Sequence, residues 1–149
     1  MFNRLFIIVF LIFLFISSCS KNEVKVEKVI DTDINEQMSI AYIEGLDALD
    51  KGDGINAAKK FSEAELLFPQ SIWAPRASLM TAYSYYSNSY YQDTIVEIER
   101  YLKTYPLHNR KNYAYYLLAL SYYEQIVDEK KDLGPIVKAK TYFNLIIKE

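Results

Sequence analysis

The run Ala57-Ala58-Lys59-Lys60-Phe61-Ser62-Glu63-Ala64-Glu65-Leu66-Leu67-Phe68-Pro69 decides the fold. Ala57, Phe61 and Ala64 lie four and three residues apart, the spacing of neighbours on one helix face. Pro69 closes the run, because proline cannot continue the hydrogen-bond ladder of a helix. Upstream, Gly52-Asp53-Gly54 turns the chain, and before it stands the small residue Gly45. A small residue there lets the first helix approach the second closely, with Ala57 small on the other side and Phe61 filling the space beneath. The unit then recurs. Gly45, Ala82 and Ala119 are spaced by 37 residues, as are Ala48, Tyr85 and Tyr122, and as are Pro69 and Pro106.

Ala57, Phe61, Ala64 and Pro69 fall at the spacing of the second helix of a tetratricopeptide repeat. That repeat is usually ~34 residues long, and the extra residues here fit in the turn between repeats. Helices are predicted over 36–51, 55–68, 72–87, 90–104, 111–127 and 136 to the end. In the second unit Thr94, Ile98 and Tyr101 stand where Ala57, Phe61 and Ala64 stand in the first. In the third, Ala139 and Phe143 keep register with each other but are displaced by a longer charged loop over 128–135. The expected fold is all-α: a tetratricopeptide-repeat solenoid of antiparallel helix pairs, about three repeats over 36–149, the third cut short. A solenoid normally ends on a helix with a polar outer face. Thr141-Tyr142-Phe143-Asn144-Leu145-Ile146-Ile147 is too apolar for that, so the sequence reads as a fragment, or another chain covers this face.

The N-terminus carries the clearest local signal. Arg4 precedes an unbroken apolar run over 5–16, shorter than the ~20 residues a membrane-spanning helix needs and suited to a signal peptide. Ile16-Ser17-Ser18-Cys19 follows and resembles the lipobox of bacterial lipoproteins. The expected organisation is therefore a lipoprotein signal peptide over 1–18, a tether over 19–35 beginning at a lipidated Cys19, and the helical domain. One acyl chain anchors only marginally, whereas two or three hold a protein on a membrane without a spanning helix. Cys19 is the only cysteine, so once lipidated the chain can form no disulfide. Ser20, rather than an aspartate, favours export to the periplasmic face of the outer membrane.

Composition excludes several classes. The formal net charge of -2 offers no basic surface for nucleic acid, and four glycines and four prolines argue against a disordered or collagen-like chain. No catalytic residue is assigned. His108 is the single histidine and sits in a loop without partners for a metal. Glu97 and Glu99 point to different faces of their helix, and there is no Gly-rich phosphate loop or nucleophile motif; neither metal nor cofactor is expected. What the chain does have is 14 tyrosines. Counting from Gly45, Ala82 and Ala119, the concave face takes Tyr42, Leu46 and Leu49 from the first unit. It takes Arg76, Leu79, Tyr83 and Tyr86 from the second, and Tyr113, Tyr116, Leu120 and Tyr123 from the third. Such a groove presents ring faces and hydroxyls to a peptide, although any single tyrosine is equally a candidate for the core. Trp73 is assigned to packing over the hairpin junction rather than to an interface.

Two longer stretches are more specific. Phe68-Pro69-Gln70-Ser71-Ile72-Trp73-Ala74-Pro75-Arg76-Ala77, with Leu79 to Tyr86 after it, resembles the first inter-repeat segment and following helix of the BamD family of β-barrel assembly lipoproteins. Tyr113 to Ile126 is similar to that family's third-repeat helix. The resemblance implies a non-catalytic scaffold that binds unfolded outer-membrane proteins by their aromatic C-terminal signal. It also implies contacts to the barrel-forming BamA subunit and smaller lipoproteins. The family has five repeats and makes those subunit contacts mainly through repeats this chain does not reach. Its Arg-Asp pair after the third helix is replaced here by Asp128-Glu129-Lys130-Lys131-Asp132. The alternative is another tetratricopeptide lipoprotein of the envelope, pilotin-like or peptidoglycan-associated.

Overall fold

The computed structural model describes residues 33–126 and 132–148. The predicted signal peptide, Cys19 and the tether up to Thr32 lie outside the described residues. Within them the chain forms six helices: α1 (Ile34–Asp50), α2 (Gly54–Leu67), α3 (Ala74–Ser87), α4 (Tyr91–Thr104), α5 (Lys111–Tyr123) and α6 (Gly134–Lys148). Each packs on the next in sequence, and α3 also touches α5, so the helices form three pairs. None is long and apolar enough to cross a membrane.

The first two helices begin where an aspartate side chain takes up a free N–H group of the first turn. Asp33 accepts from Asn35 N at 3.3 Å to start α1, and Asp53 from Asn56 N at 3.0 Å to start α2. The predicted start of the third helix at residue 72 is two residues early. Trp73 is the N-cap, Ser71 Oγ accepts from Trp73 N and Ala74 N at 3.2 and 3.1 Å just ahead of it, and Pro75 falls in the first turn, where its missing N–H costs nothing. Helices α2 and α4 stop at Leu67 and Thr104. The following Phe68 and Tyr105 are pulled out of helical geometry (φ −142° and −125°) by the prolines after them. The fifth helix ends at Tyr123, four residues before its predicted limit, with Glu124 as C-cap. The sixth starts two residues before its predicted limit, its Gly134 N–H donating to Asp132 at 2.8 Å.

The core follows the 37-residue register. Ala57, Phe61 and Ala64, and their counterparts Thr94, Ile98 and Tyr101, are all fully buried. Fully burying side chains of the size of Phe61 and Ile98 contributes ~1.5–3 kcal/mol each. A methyl group on Gly45 would stand 2.9 Å from the Phe61 ring, which is why the first pair carries glycine there. Buried hydroxyls on α3 and α5 bond one turn back: Ser84 to Met80 O and Ser121 to Leu117 O, each at 2.8 Å. The first turn reverses through Gly52 at φ +76°. Ser89, 37 residues on, adopts the same left-handed conformation at φ +63°. The apolar outer side of α6 is open, with Val137 and Ile147 exposed.

Candidate functional site

Helices α3 and α5 are the first members of the second and third pairs and lie side by side. Between them opens a cavity of about 310 Å³ lined by Arg76, Leu79, Met80, Tyr83, Arg110 and Tyr113. A second cavity of about 400 Å³ adjoins it and shares Arg76 and Arg110. Its other walls are Pro75 from the first turn of α3, and Ile72, Trp73, His108 and Asn109 from the two loops that lead into α3 and α5.

The structure thus brings together Arg76, Leu79, Tyr83 and Tyr113 of the residues the register selected, Leu79 from a buried position. Tyr113 is 39% exposed and its ring lies 6.5 Å from that of Tyr116, which is 46% exposed. Burial raises the Tyr113 pKa, with Tyr83 and Tyr116 adding to the shift and Arg110 opposing it. Burial likewise raises that of Tyr86, helped by Glu124 and by Tyr91, Tyr116 and Tyr83. Neutral phenols in this setting can donate as well as accept. Tyr83 and Tyr86 are half-buried and pack on the core between the second and third pairs.

Other selected residues sit elsewhere. Tyr42 is half-buried, its ring edge-on to Phe61 at 5.0 Å and to Trp73 at 6.4 Å, so it belongs chiefly to the core of the first pair. Leu46 and Leu49 line a separate depression on α1 with Ile43, Asp47 and Asp50. Tyr123 is exposed at the far end of α5. Trp73, expected over the hairpin junction, packs on Tyr42 and remains 42% exposed, with the Arg76 guanidinium 4.9 Å from its ring centre.

Sequence reasoning missed Arg110, which precedes α5 and so falls outside the helical register. It also missed an ion network. Glu65 is buried on α2 and accepts a two-point contact from Arg100 on α4, at 2.9 and 2.7 Å. Tyr105 O–H donates to the same carboxylate at 2.8 Å, and Arg100 also reaches Ser78 Oγ at 3.0 Å. The signal was present: Glu65 follows Phe61 by one turn, on the packing face. Glu97 and Glu99 do part company, Glu97 pairing with Arg100 at 2.8 Å and Glu99 accepting from Tyr122 O–H at 3.4 Å. His108 Nδ1 lies 2.6 Å from Tyr101 Oη. Burial, then Arg110 and Arg76, lower its pKa.

A family model described as YfiO, outer membrane lipoprotein, matches residues 34–149. The chain is 38% identical over 95 residues to the outer membrane protein assembly factor BamD of Caulobacter vibrioides, covering 64% of this chain and 31% of that protein. It is 32% identical over 115 residues to BamD of Rickettsia prowazekii, covering 77% and 46%. Against BamD of Neisseria gonorrhoeae it is 33% identical over 92 residues, covering 60% and 34%. The chain therefore spans between about a third and a half of the length of these curated relatives.

Proposed function

The chain belongs to the YfiO family of outer membrane lipoproteins, and from that premise we propose that it is a non-catalytic scaffold for assembling β-barrel proteins. Its three helix pairs are read as tetratricopeptide repeats, anchored through a lipidated Cys19 at the periplasmic face of the outer membrane. Precursors of outer-membrane proteins dock by an aromatic-ended segment in the groove between α3 and α5. The protein works beside a BamA-type barrel subunit and further lipoproteins of the assembly machinery.

The observation that carries this reading is the convergence of Arg76, Leu79, Met80, Tyr83, Arg110 and Tyr113 around one open cavity. Tyr113, which lines the cavity, and Tyr116 are both partly in solvent. Aromatic rings with hydroxyl tips bury apolar surface and still satisfy a peptide backbone. Capture of partners by the full, lipidated chain from detergent-solubilised outer membranes tests the proposal. Recovery of a BamA-type barrel protein is expected. Recovery of a secretin or of cell-wall enzymes in its place would overturn it.

A further inference from the structure

The junction between α4 and α5 differs from its counterpart between α2 and α3 at two positions that meet in space. Ala64 and Ser71 of the first unit are replaced, 37 residues on, by Tyr101 and His108. The Tyr101 ring is fully buried, and its Oη lies 2.6 Å from His108 Nδ1, with the two rings edge-on at 6.0 Å. A buried phenol hydrogen needs an acceptor. A bare Nδ1 supplies it, so the neutral imidazole carries its proton on Nε2 and Tyr101 O–H donates. His108 is half-buried, within reach of solvent protons.

The surroundings oppose a charge on this ring. Arg110 from its own junction and Arg76 from α3 act on it, and together with burial they hold its pKa below the usual histidine range. Tyr105 leans on Tyr101 at 5.7 Å, but its hydroxyl is committed to Glu65. The Lys111 ammonium lies over the Tyr115 ring at 5.5 Å. Arg76, Arg110 and His108 wall the same cavity of about 400 Å³, and none of its lining residues is acidic. A proton taken from solvent makes His108 the third cation of that wall. It also turns Nδ1 into a donor facing a donor, so Tyr101 must turn its own buried hydrogen out of the bond.

We propose that His108 is a proton-operated latch on the α4–α5 junction. Neutral, it accepts the Tyr101 O–H and ties the junction to α4; protonated, it gives up that bond and lets the junction loosen. The proton thereby changes the shape and the charge of the cavity wall together. The first junction follows the same backbone path but has Ala64 and Ser71 at these positions, so it holds no titrating pair and stays closed. The latch does not depend on what the cavity binds.

His108 is the single histidine, so its ring nitrogens give one unambiguous NMR signal set in the full chain. Above pH 7 they are expected to show a proton on Nε2 and a bare Nδ1; a proton on Nδ1 would overturn the latch. Hydrogen exchange is then followed through the titration. The amides of His108 and Lys111, bonded to Tyr105 O and His108 O, are compared at each pH with those of Ser71 and Ala74, bonded to Phe68 O and Ser71 O. The pairing cancels most of the intrinsic pH dependence of exchange. As His108 takes its proton, exchange at the second junction is expected to gain about tenfold on the first, the scale of one lost hydrogen bond. A ratio that stays flat would overturn the proposal. Tyr101→Phe keeps the ring and removes the hydroxyl. It is expected to raise the His108 midpoint by roughly 0.5–1 pH and to leave the second junction fast at every pH. An unchanged midpoint in the folded variant would overturn the coupling, and the parent chain's own titration decides the matter should the variant fail to fold.

Discussion

The two junctions between helix pairs, Phe68 to Trp73 and Tyr105 to Arg110, share a backbone and differ in nearly every side chain. Ser71 N–H donates to Phe68 O at 3.0 Å, and His108 N–H to Tyr105 O at 3.1 Å. Ala74 N–H donates to Ser71 O at 3.3 Å, and Lys111 N–H to His108 O at 3.1 Å. Ala77 N–H reaches Trp73 O at 2.9 Å, and Ala114 N–H reaches Arg110 O at 3.1 Å. Each bond is repeated 37 residues on. The means of support differ: the first junction is capped by the Ser71 hydroxyl, while the second ties His108 to Tyr101 and Tyr105 to Glu65. The repeat preserves the path of the chain, and the freedom left to the side chains is where the groove acquires its chemistry.

The largest effect that would break this comparison is expected from Arg100→Met. The Glu65 carboxylate is buried and anchors both Arg100 and Tyr105, so the second junction leans on the first pair. Removing the arginine leaves a buried charge with too few partners, at a cost of about 3 kcal/mol, and chemical denaturation should show a matching loss. Glu65→Gln together with Arg100→Met should recover part of it. A loss no larger than that of a surface change would mean the junctions are independent.

The turns inside the pairs sharpen the same contrast. A methyl group on Gly54 would come within 2.5 Å of the Ser84 carbonyl oxygen as well as striking Asn88. That carbonyl belongs to α3 and cannot retreat alone, so Gly54→Ala should destabilise by ~1–3 kcal/mol, the cost of overpacking. At the equivalent of Gly52 the second turn has Ser89 in left-handed geometry. Ser89→Gly relieves that strain and should stabilise by ~0.5–1 kcal/mol, or raise Tm by a few degrees. An unchanged or lower Tm would contradict the strain argument.

The smallest effect concerns pH. Unfolded His108 binds its proton near pH 6.5, whereas the folded group, with its pKa lowered by burial and by Arg110 and Arg76, binds it only at lower pH. Between those values the unfolded state holds more protons, so stability rises with pH and falls as pH drops below about 6.5. The difference in stability between pH 7 and pH 5 should be smaller in His108→Asn than in the parent chain. An equal difference would show that His108 does not contribute.

Much of this architecture is legible in the sequence because close packing constrains residue size. Gly45 and Phe61 are read correctly as a small residue over a large one, and Thr94, Ile98 and Tyr101 occupy the core positions their register assigns. The predicted end of α5 at residue 127 overshoots the observed end at Tyr123. The period would have placed it better, since α1 and α3 end at Asp50 and Ser87, 37 residues apart. The groove is only half legible. Helical register separates faces of a helix, and Tyr113 and Tyr116 do lie on an open face. It cannot show that Tyr42 is taken up by Phe61 and Trp73, because those contacts cross between helices. Nor does it reach Arg110, which stands before its helix. Glu65 stands on the packing face one turn after Phe61, but its partner Arg100, 35 residues away, is identified only by the fold.

The most direct test of the account is the affinity of the full chain for a labelled peptide ending in phenylalanine, before and after Tyr113→Ala and Tyr116→Ala are introduced together. Both rings are partly exposed, so circular dichroism should show the helical signal retained. Loss of an aromatic contact at an interface costs about 1–2 kcal/mol, so the double variant should bind at least about tenfold more weakly. Binding unchanged in a folded double variant would contradict the claim that the α3–α5 groove is the peptide site.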